Sequence, residues 1–344
     1  MRDDILGWDI GGANLKAARI NAAGAVSAVA QIPCPLWRGL PELAQAMQTA
    51  FEFVGPCKRH VITMTGEMVD LFPSRSAGVI EISRFVSAIL GKNHIGFYCG
   101  DRRFVSLNNV VDVTEKIASA NWLASAEFAA SKTHAGIFVD IGSTTTDLVA
   151  IVNGKPHYHG LGDYSRLVSS ELVYSGITRT PLMAMTDRVQ FCGDDVPVIA
   201  EYFASAADVY RVLGELPDNA DPHPTADSAD KTQLASARRI ARMIGRDVES
   251  QSMENWIELA GSFRSVQLEK INRGIDTVLV RAKLPSAISI CGAGIGEFIV
   301  REIARERGST YQSFGQLCKI DGPSEDAVTR IAPAVAVASL AQAQ

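Results

Sequence analysis

The sequence predicts a duplicated α/β fold of two domains with a ligand cleft between them. Two observations carry that prediction. A unit of apolar strand, acidic residue, glycine turn and returning strand occurs twice, at Asp9–Lys16 and Asp140–Asp147, about 130 residues apart. Further on, Cys291-Gly292-Ala293-Gly294 reads as a glycine turn between a strand and a helix. A length of 344 residues fits two domains of roughly 100–200 residues each. They are expected at 1–133 plus 326–344, and at 134–325.

The elements follow in order. Ile5 to Ile10 is a short apolar run closed by Gly11 and Gly12, which predicts a buried strand entering a tight turn. Leu15 to Ile20 is its returning strand, and Ala25 to Ile32 a third, before Pro33 and Pro35 break the chain. Leu40 to Phe53 carries apolar residues at helical spacing, with Pro41 suited to a first turn. Val61 to Met64 is a strand running into Thr65-Gly66-Glu67. Val79 to Leu90 and Thr114 to Ser131 read as helices, the second with Thr114 as N-cap. Gly136 to Ile141 opens the second unit, Asp147 to Val152 returns, and Asn153-Gly154 is a hairpin signal. Val196 to Leu213, Asp227 to Val248 and Met253 to Arg273 read as helices, with Asp227 as an N-cap and Pro217 to Thr225 as a surface loop. Ala287 to Cys291 is a strand, Glu297 to Arg307 a helix, Gln316 to Ile320 a strand and Glu325 to Leu340 a final helix, its apolar end buried.

Composition narrows the function class. The net charge of −5 and the scatter of basic residues exclude the basic stripe of a nucleic-acid surface. The densest group, Arg238, Arg239, Arg242 and Arg246, falls at helical spacing and predicts a solvated helix face. Six cysteines without a C-x-x-C pair argue against zinc and secreted disulfides, and for reduced thiols in the cytoplasm. Met1-Arg2-Asp3-Asp4 does not open a signal peptide, and no apolar stretch approaches the ~20 residues of a membrane span. A cytoplasmic enzyme with a phosphorylated small-molecule substrate is expected, without nucleic-acid or membrane partners. Its oligomeric state is open, a homodimer being one option.

Chemistry concentrates in the glycine turns. Gly11, Gly12 and Asn14 leave backbone N–H groups free to face an anion. Asp9 at the strand end suits Mg²⁺, which takes oxygen ligands and keeps several waters, and Lys16 adds a point charge for phosphate. The second turn repeats this layout with hydroxyls: Gly142, Ser143, Thr144 and Thr145 for phosphate, and Asp140 either for metal or for positioning a nucleophile. Gly292, Ala293 and Gly294 permit close approach of a nucleotide. Glu67 is a candidate general base, and Arg179 a fork for phosphate or carboxylate. His157 and His159 read as surface residues; Asp221, His223, Asp227 and Asp230 either bind metal or cap a helix.

Together the three glycine elements resemble the actin, hexokinase and heat-shock chaperone superfamily. The resemblance spans nearly the whole chain. It implies a ribonuclease H-like duplicated fold, with Asp9–Lys16 as first phosphate loop, Asp140–Asp147 as second and Cys291–Gly294 as adenosine turn. Thr65-Gly66-Glu67-Met68 with Asp70, Phe72 and Arg75, Glu171–Gly176 leading to Arg179-Thr180-Pro181, and Ala200–Ala204 through Asp208–Arg211 resemble the hydantoinase/oxoprolinase-like branch. Within it, the short single-chain form is similar to proteins linked to tetrahydromethanopterin-dependent one-carbon transfer and to the archaeal methanofuran-building synthases. That likeness implies a Mg²⁺-dependent transferase of methanofuran or methylofuran biosynthesis. It would condense an aminomethylfuran-methyl diphosphate with a glutamyl-tyramine or tyrosine-type phenol and release pyrophosphate. Two alternatives stand beside it: an ATP-dependent kinase or amidohydrolase, with ATP in the cleft, and a non-catalytic nucleotide-binding protein. The aspartate kept in both loops argues against the last.

Overall fold

The computed structural model describes residues 3–91 and 93–344. Met1 and Arg2, where the argument against a signal peptide begins, lie outside the described residues.

β1 (Ile5–Ile10), β2 (Asn14–Ile20) and β3 (Val26–Pro33) form two successive antiparallel hairpins. After α1 (Leu40–Val54), with Pro41 in its first turn, β4 (Arg59–Met64) pairs parallel with the free side of β1. α2 (Arg75–Leu90) leads to β5 (His94–Tyr98) and β6 (Phe104–Val105), completing the order β3-β2-β1-β4-β5-β6. α2 starts before Val79 because the Ser74 hydroxyl caps it, accepting from the Ala77 N–H. The single helix expected over Thr114–Ser131 is two, α3 (Thr114–Ile117) and α4 (Asn121–Ala130). Ser119 breaks it with a φ of 50°, and Thr114 bonds Ser76 instead of capping.

The second half repeats the plan. β7 (Gly136–Ile141) and β8 (Thr146–Val152) are antiparallel, and β9 (Lys155–His157) follows through Asn153 and Gly154, both at positive φ as a tight hairpin requires. α5 (Asp163–Val168) and β10 (Leu172–Val173) complete this edge. Next come the β11 (Arg188–Phe191) and β12 (Asp194–Pro197) hairpin, α6 (Ala206–Val212), α7 (Gln233–Arg242) and α8 (Met253–Arg281). β13 (Ile290–Ala293) lies parallel between β7 and β14 (Tyr311–Ser313), with α9 (Glu297–Glu306) connecting them. α10 (Glu325–Arg330) and α11 (Ala332–Gln342) end the chain.

Several expectations are corrected here. The helix placed at Val196–Leu213 begins only at Ala206, where Ser205 and Asp208 form a capping box. α7 is capped by Thr232, not Asp227, whose carboxylate instead pairs with Arg239 at 3.1 Å. Arg239 is fully buried, held by Asp208 at 2.7 Å, so the arginine run is not wholly a solvated face. The strand expected at Gln316–Ile320 falls at Tyr311–Ser313.

Period-two alternation assigns each strand face to a core. Ile5, Ile20 and Val61 from the first sheet and Phe138, Val149 and Ile151 from the second share one core with α4 and α11, which lie between the sheets. The opposite faces put Leu6, Trp8 and Ile10 in a core with residues of α1 and α2, and Ile137, Val139 and Ile141 in one with residues of α8 and α9. A fourth core, around Trp256 and Phe263, joins β11, α6, α7 and the start of α8. Among the described residues no helix is long and apolar enough to cross a membrane.

Candidate active site

The two hairpin turns have the same geometry. The Gly11 N–H donates to the Asn14 carbonyl at 3.0 Å, and the Gly142 N–H to the Thr145 carbonyl at 2.9 Å. Nothing among the described residues accepts from the N–H groups of Gly12 and Ala13, or of Ser143 and Thr144. Each turn is therefore a cradle of uncommitted donors, the arrangement an anion needs. The Ser143 and Thr144 hydroxyls, half-buried and 3.4 Å apart, add donors to the second cradle.

Each cradle is braced from below by a segment that closes against its carbonyls. Cys34 N–H donates to Ala13 and Leu36 N–H to Gly12. On the other side, Ile177 N–H donates to Gly142, and those of Thr178 and Arg179 to Ser143. Gly176 must be glycine, because a Cβ there would lie 2.5 Å from the backbone of Ser143 and Thr144. Gln267 on α8 fixes this brace, donating to the Ser175 hydroxyl and the Gly176 carbonyl at 2.8 and 2.9 Å.

Between the cradles sits a cluster of charge. The ladders set Asp9 opposite Lys16, and Asp140 opposite Asp147. The Lys16 ammonium is 3.4 Å from the Asp9 carboxylate, and its field also reaches Asp140 and Asp147. Burial pushes the Asp140 carboxyl up to about 7; Lys16 opposes this, while Asp147 and Asp9 reinforce it. Burial raises Asp9 and Asp147 as well, offset by Lys16 in the first and by Arg166 in the second. Arg166 is buried, 2.8 Å from Asp147, with its guanidinium stacked on the Trp122 ring. Among the described residues three carboxylates thus face two cations, and Asp9 Oδ1 is buried without a hydrogen-bond partner.

Among the described residues no three His, Cys, Asp or Glu side chains converge to hold a metal ion by themselves. Mg²⁺ bound by one or two carboxylates together with phosphate oxygens needs no such cage. The donor set fits that mode: two strand-end carboxylates, one oxygen buried and unpartnered, beside two anion cradles.

The remaining predicted residues separate. Gly292 and Ala293 lie inside β13, not in a turn, and the space a Gly292 Cβ would need is filled by the Tyr311 ring. Only Gly294, at a φ of 82°, turns, and it packs on the Asp140 carboxylate. Glu67 is buried, bonded to the Ser119 hydroxyl at 2.8 Å and 3.4 Å from Arg75, which reaches Asp163 of the second half at 3.6 Å. Burial raises its pKa, and Ser119 and Arg75 counter. Arg179 follows the brace of the second cradle and Trp37 that of the first; the guanidinium lies 5.8 Å from the Trp37 ring centroid across the cleft. His157 and His159 are exposed.

Sequence reasoning placed Asp147 at the end of the second loop without giving it a role, and missed Arg166, Trp37 and Ser119 as members of the cleft. A signal existed for Asp147 alone: superposing the two units puts it at the position of Lys16. The others come from segments with no motif, brought in by tertiary packing.

Comparison with known proteins follows this geometry. The hydantoinase/oxoprolinase family profile matches residues 63–340. A Methanocaldococcus jannaschii synthase, named for a furan-2-yl methanamine carrying a (γ-L-glutamylamino)ethyl-phenoxymethyl group, is 28% identical over 94% of this chain and 96% of its own. A Methanococcus vannielii protein of the same name is 29% identical over 49% of this chain and 75% of its own. The nucleotide-free structure of an acetone carboxylase superposes with a TM-score of 0.57 at 9% identity, over 90% of this chain and 68% of that one, a likeness of fold.

Proposed function

The chain belongs to the hydantoinase/oxoprolinase family and has the actin-like duplicated α/β fold, and from that premise we propose that it is a transferase that builds a furan-methanamine ether. The reaction joins the phenolic oxygen of a glutamyl-tyramine or tyrosine-type acceptor to the methylene carbon of an aminomethylfuran-methyl diphosphate. The bond from that carbon to the diphosphate oxygen breaks, the aryl ether bond forms, and the phenolic proton passes to a base. The full-length similarity to the Methanocaldococcus jannaschii synthase supports the substrate class. The observation that carries the reading is the pair of cradles with uncommitted N–H donors on either side of one charge cluster.

Such a transfer builds negative charge on the departing diphosphate. Backbone donors fixed in advance stabilise that charge as it develops, without reorganising. Asp9 and Asp140 would hold Mg²⁺, which supplies positive charge against the leaving group. Their carboxylates, with Asp147 and against only Lys16 and Arg166, would otherwise repel a diphosphate. Burial raises both Asp9 and Asp147, and Lys16 opposes that rise at Asp9 as Arg166 does at Asp147.

Purified protein with Mg²⁺, the furan diphosphate and the phenol should release pyrophosphate and ether in equal amounts, without ATP. Pyrophosphate release that ignores omission of the phenol would sink the reading. The family match also favours a second one, an ATP-dependent amidohydrolase or kinase, which an absolute requirement for ATP would select.

A further inference from the structure

Beside the second cradle lies a cavity of about 350 Å³ that the reaction above leaves without a role. Thr178 and Arg179, bonded to Ser143, form its wall nearest the cradle, so a molecule in it sits next to anything bound there. Pro181, Met183, Tyr202 and Pro224 give it apolar surface wide enough for an aromatic ring. Two polar groups face this surface uncommitted. Arg179 makes no side-chain hydrogen bond or ion pair among the described residues, its one contact of note being the face of Trp37. His223 has its Nε2 atom buried and without a partner among the described residues, its ring 6.4 Å from that of Trp37. Trp37, from the first half, therefore lies near both without lining the cavity itself.

Resting on the function proposed above, we propose that this cavity is the acceptor subsite, where His223 Nε2 takes the proton of an aromatic hydroxyl and Arg179 stabilises the resulting phenolate. The step balances. The O–H bond breaks with its proton going to Nε2; the phenolate oxygen forms the ether bond; diphosphate leaves with the electron pair of the broken C–O bond. The imidazolium afterwards gives its proton to solvent or product. His223 suits the task because burial, with Arg179 and Lys231 nearby, holds it neutral, Asp221 opposing; Asp208 and Tyr202 line the same cavity. Asp221 is itself taken by Arg211 at 2.8 Å. Glu67, the base expected from sequence, does not line this cavity and has one oxygen accepting from Ser119 and Arg75.

The test uses a nitrophenol, whose phenolate absorbs visible light, titrated into the full-length protein below the probe's own pKa. Wild type should bind it as phenolate in competition with the tyramine-type acceptor, and Arg179→Gln should abolish that spectral shift. Calorimetry in two buffers of different ionisation heat should find no proton released by wild type, since His223 keeps it, but release by His223→Gln. In turnover, His223→Gln should lower kcat by about 10²–10³-fold with KM for the phenol within about threefold, the loss shrinking as pH nears the ordinary phenol range of about 10. Binding of the probe without ionisation in wild type, or equal proton release by wild type and His223→Gln, overturns the proposal. A wild type that ionises the probe but makes no ether with any phenol removes the ether-synthase reading while upholding this site.

Discussion

The two cradles share a backbone plan and differ in what they bring to it. Each has a strand-end aspartate, a four-residue turn closed by one hydrogen bond, and a brace beneath. The first is chemically barer: Gly12 and Ala13 offer N–H groups alone, and its charge comes from Lys16 directly across from Asp9. The second carries hydroxyls, but the residue across from Asp140 is another carboxylate, Asp147, balanced from outside the turn by Arg166. The plan sets out uncommitted N–H donors twice over, while the substitutions divide what surrounds them. One half supplies a neutralised carboxylate; the other supplies added donors and a carboxyl held near neutrality by its surroundings.

Substitutions can break or sharpen this contrast. The largest effect should be Asp9→Asn, with a fall of about 10²–10³-fold in Mg²⁺-dependent pyrophosphate release, comparable to losing one preorganised electrostatic contact, and an unchanged circular dichroism spectrum. Wild-type turnover would remove Asp9 from the site. Next, Asp140→Asn should stabilise the metal-free protein at neutral pH. An unfolded aspartate ionises near about 4 and the folded one at about 7. The native state therefore binds more protons between these values, and stability declines as pH climbs from about 4 to about 7. Removing the carboxyl should flatten that slope and gain on the order of a few kcal/mol above it, read from melting curves between about pH 5 and about pH 8. An unchanged slope would mean the strain lies elsewhere.

Smaller effects compare the braces. Gly176→Ala sets a methyl against the backbone of the second cradle, costing about 1–3 kcal/mol by overpacking. Gly66→Ala, packed on Leu36 of the first brace, meets its Cδ2 at 2.7 Å, the end of a flexible side chain, and should cost less. Equal losses in denaturant melts would mean the braces are equally rigid. Smallest of all, Thr144→Val should weaken calorimetric pyrophosphate binding by about three- to tenfold, the value of one hydrogen bond at about 1 kcal/mol. A loss much below that would assign the hydroxyl to loop structure.

The repeated unit was legible because its logic is local: an apolar run, an acid and a glycine within a few residues. The second brace was visible only as a motif, since Gly176 owes its identity to a turn elsewhere in the chain. Arg239 looked solvated because its partner Asp208 lies 31 residues away, and no spacing rule links them. The break at Ser119 carries neither glycine nor proline to announce it. The cavity and its surroundings were the least readable part: Trp37, Arg179 and His223 come from three distant segments and meet only after both halves have folded.

α11 has a bearing on how the molecule is made. It packs against β1, β2 and β4, so closely that the backbone of Ala334 takes the space a side chain would need at Gly7. More than 300 residues separate Gly7 from Ala334. On the ribosome, the inner face of the first sheet stays without its cover until that distant segment emerges, and the nascent chain must be kept from aggregating meanwhile.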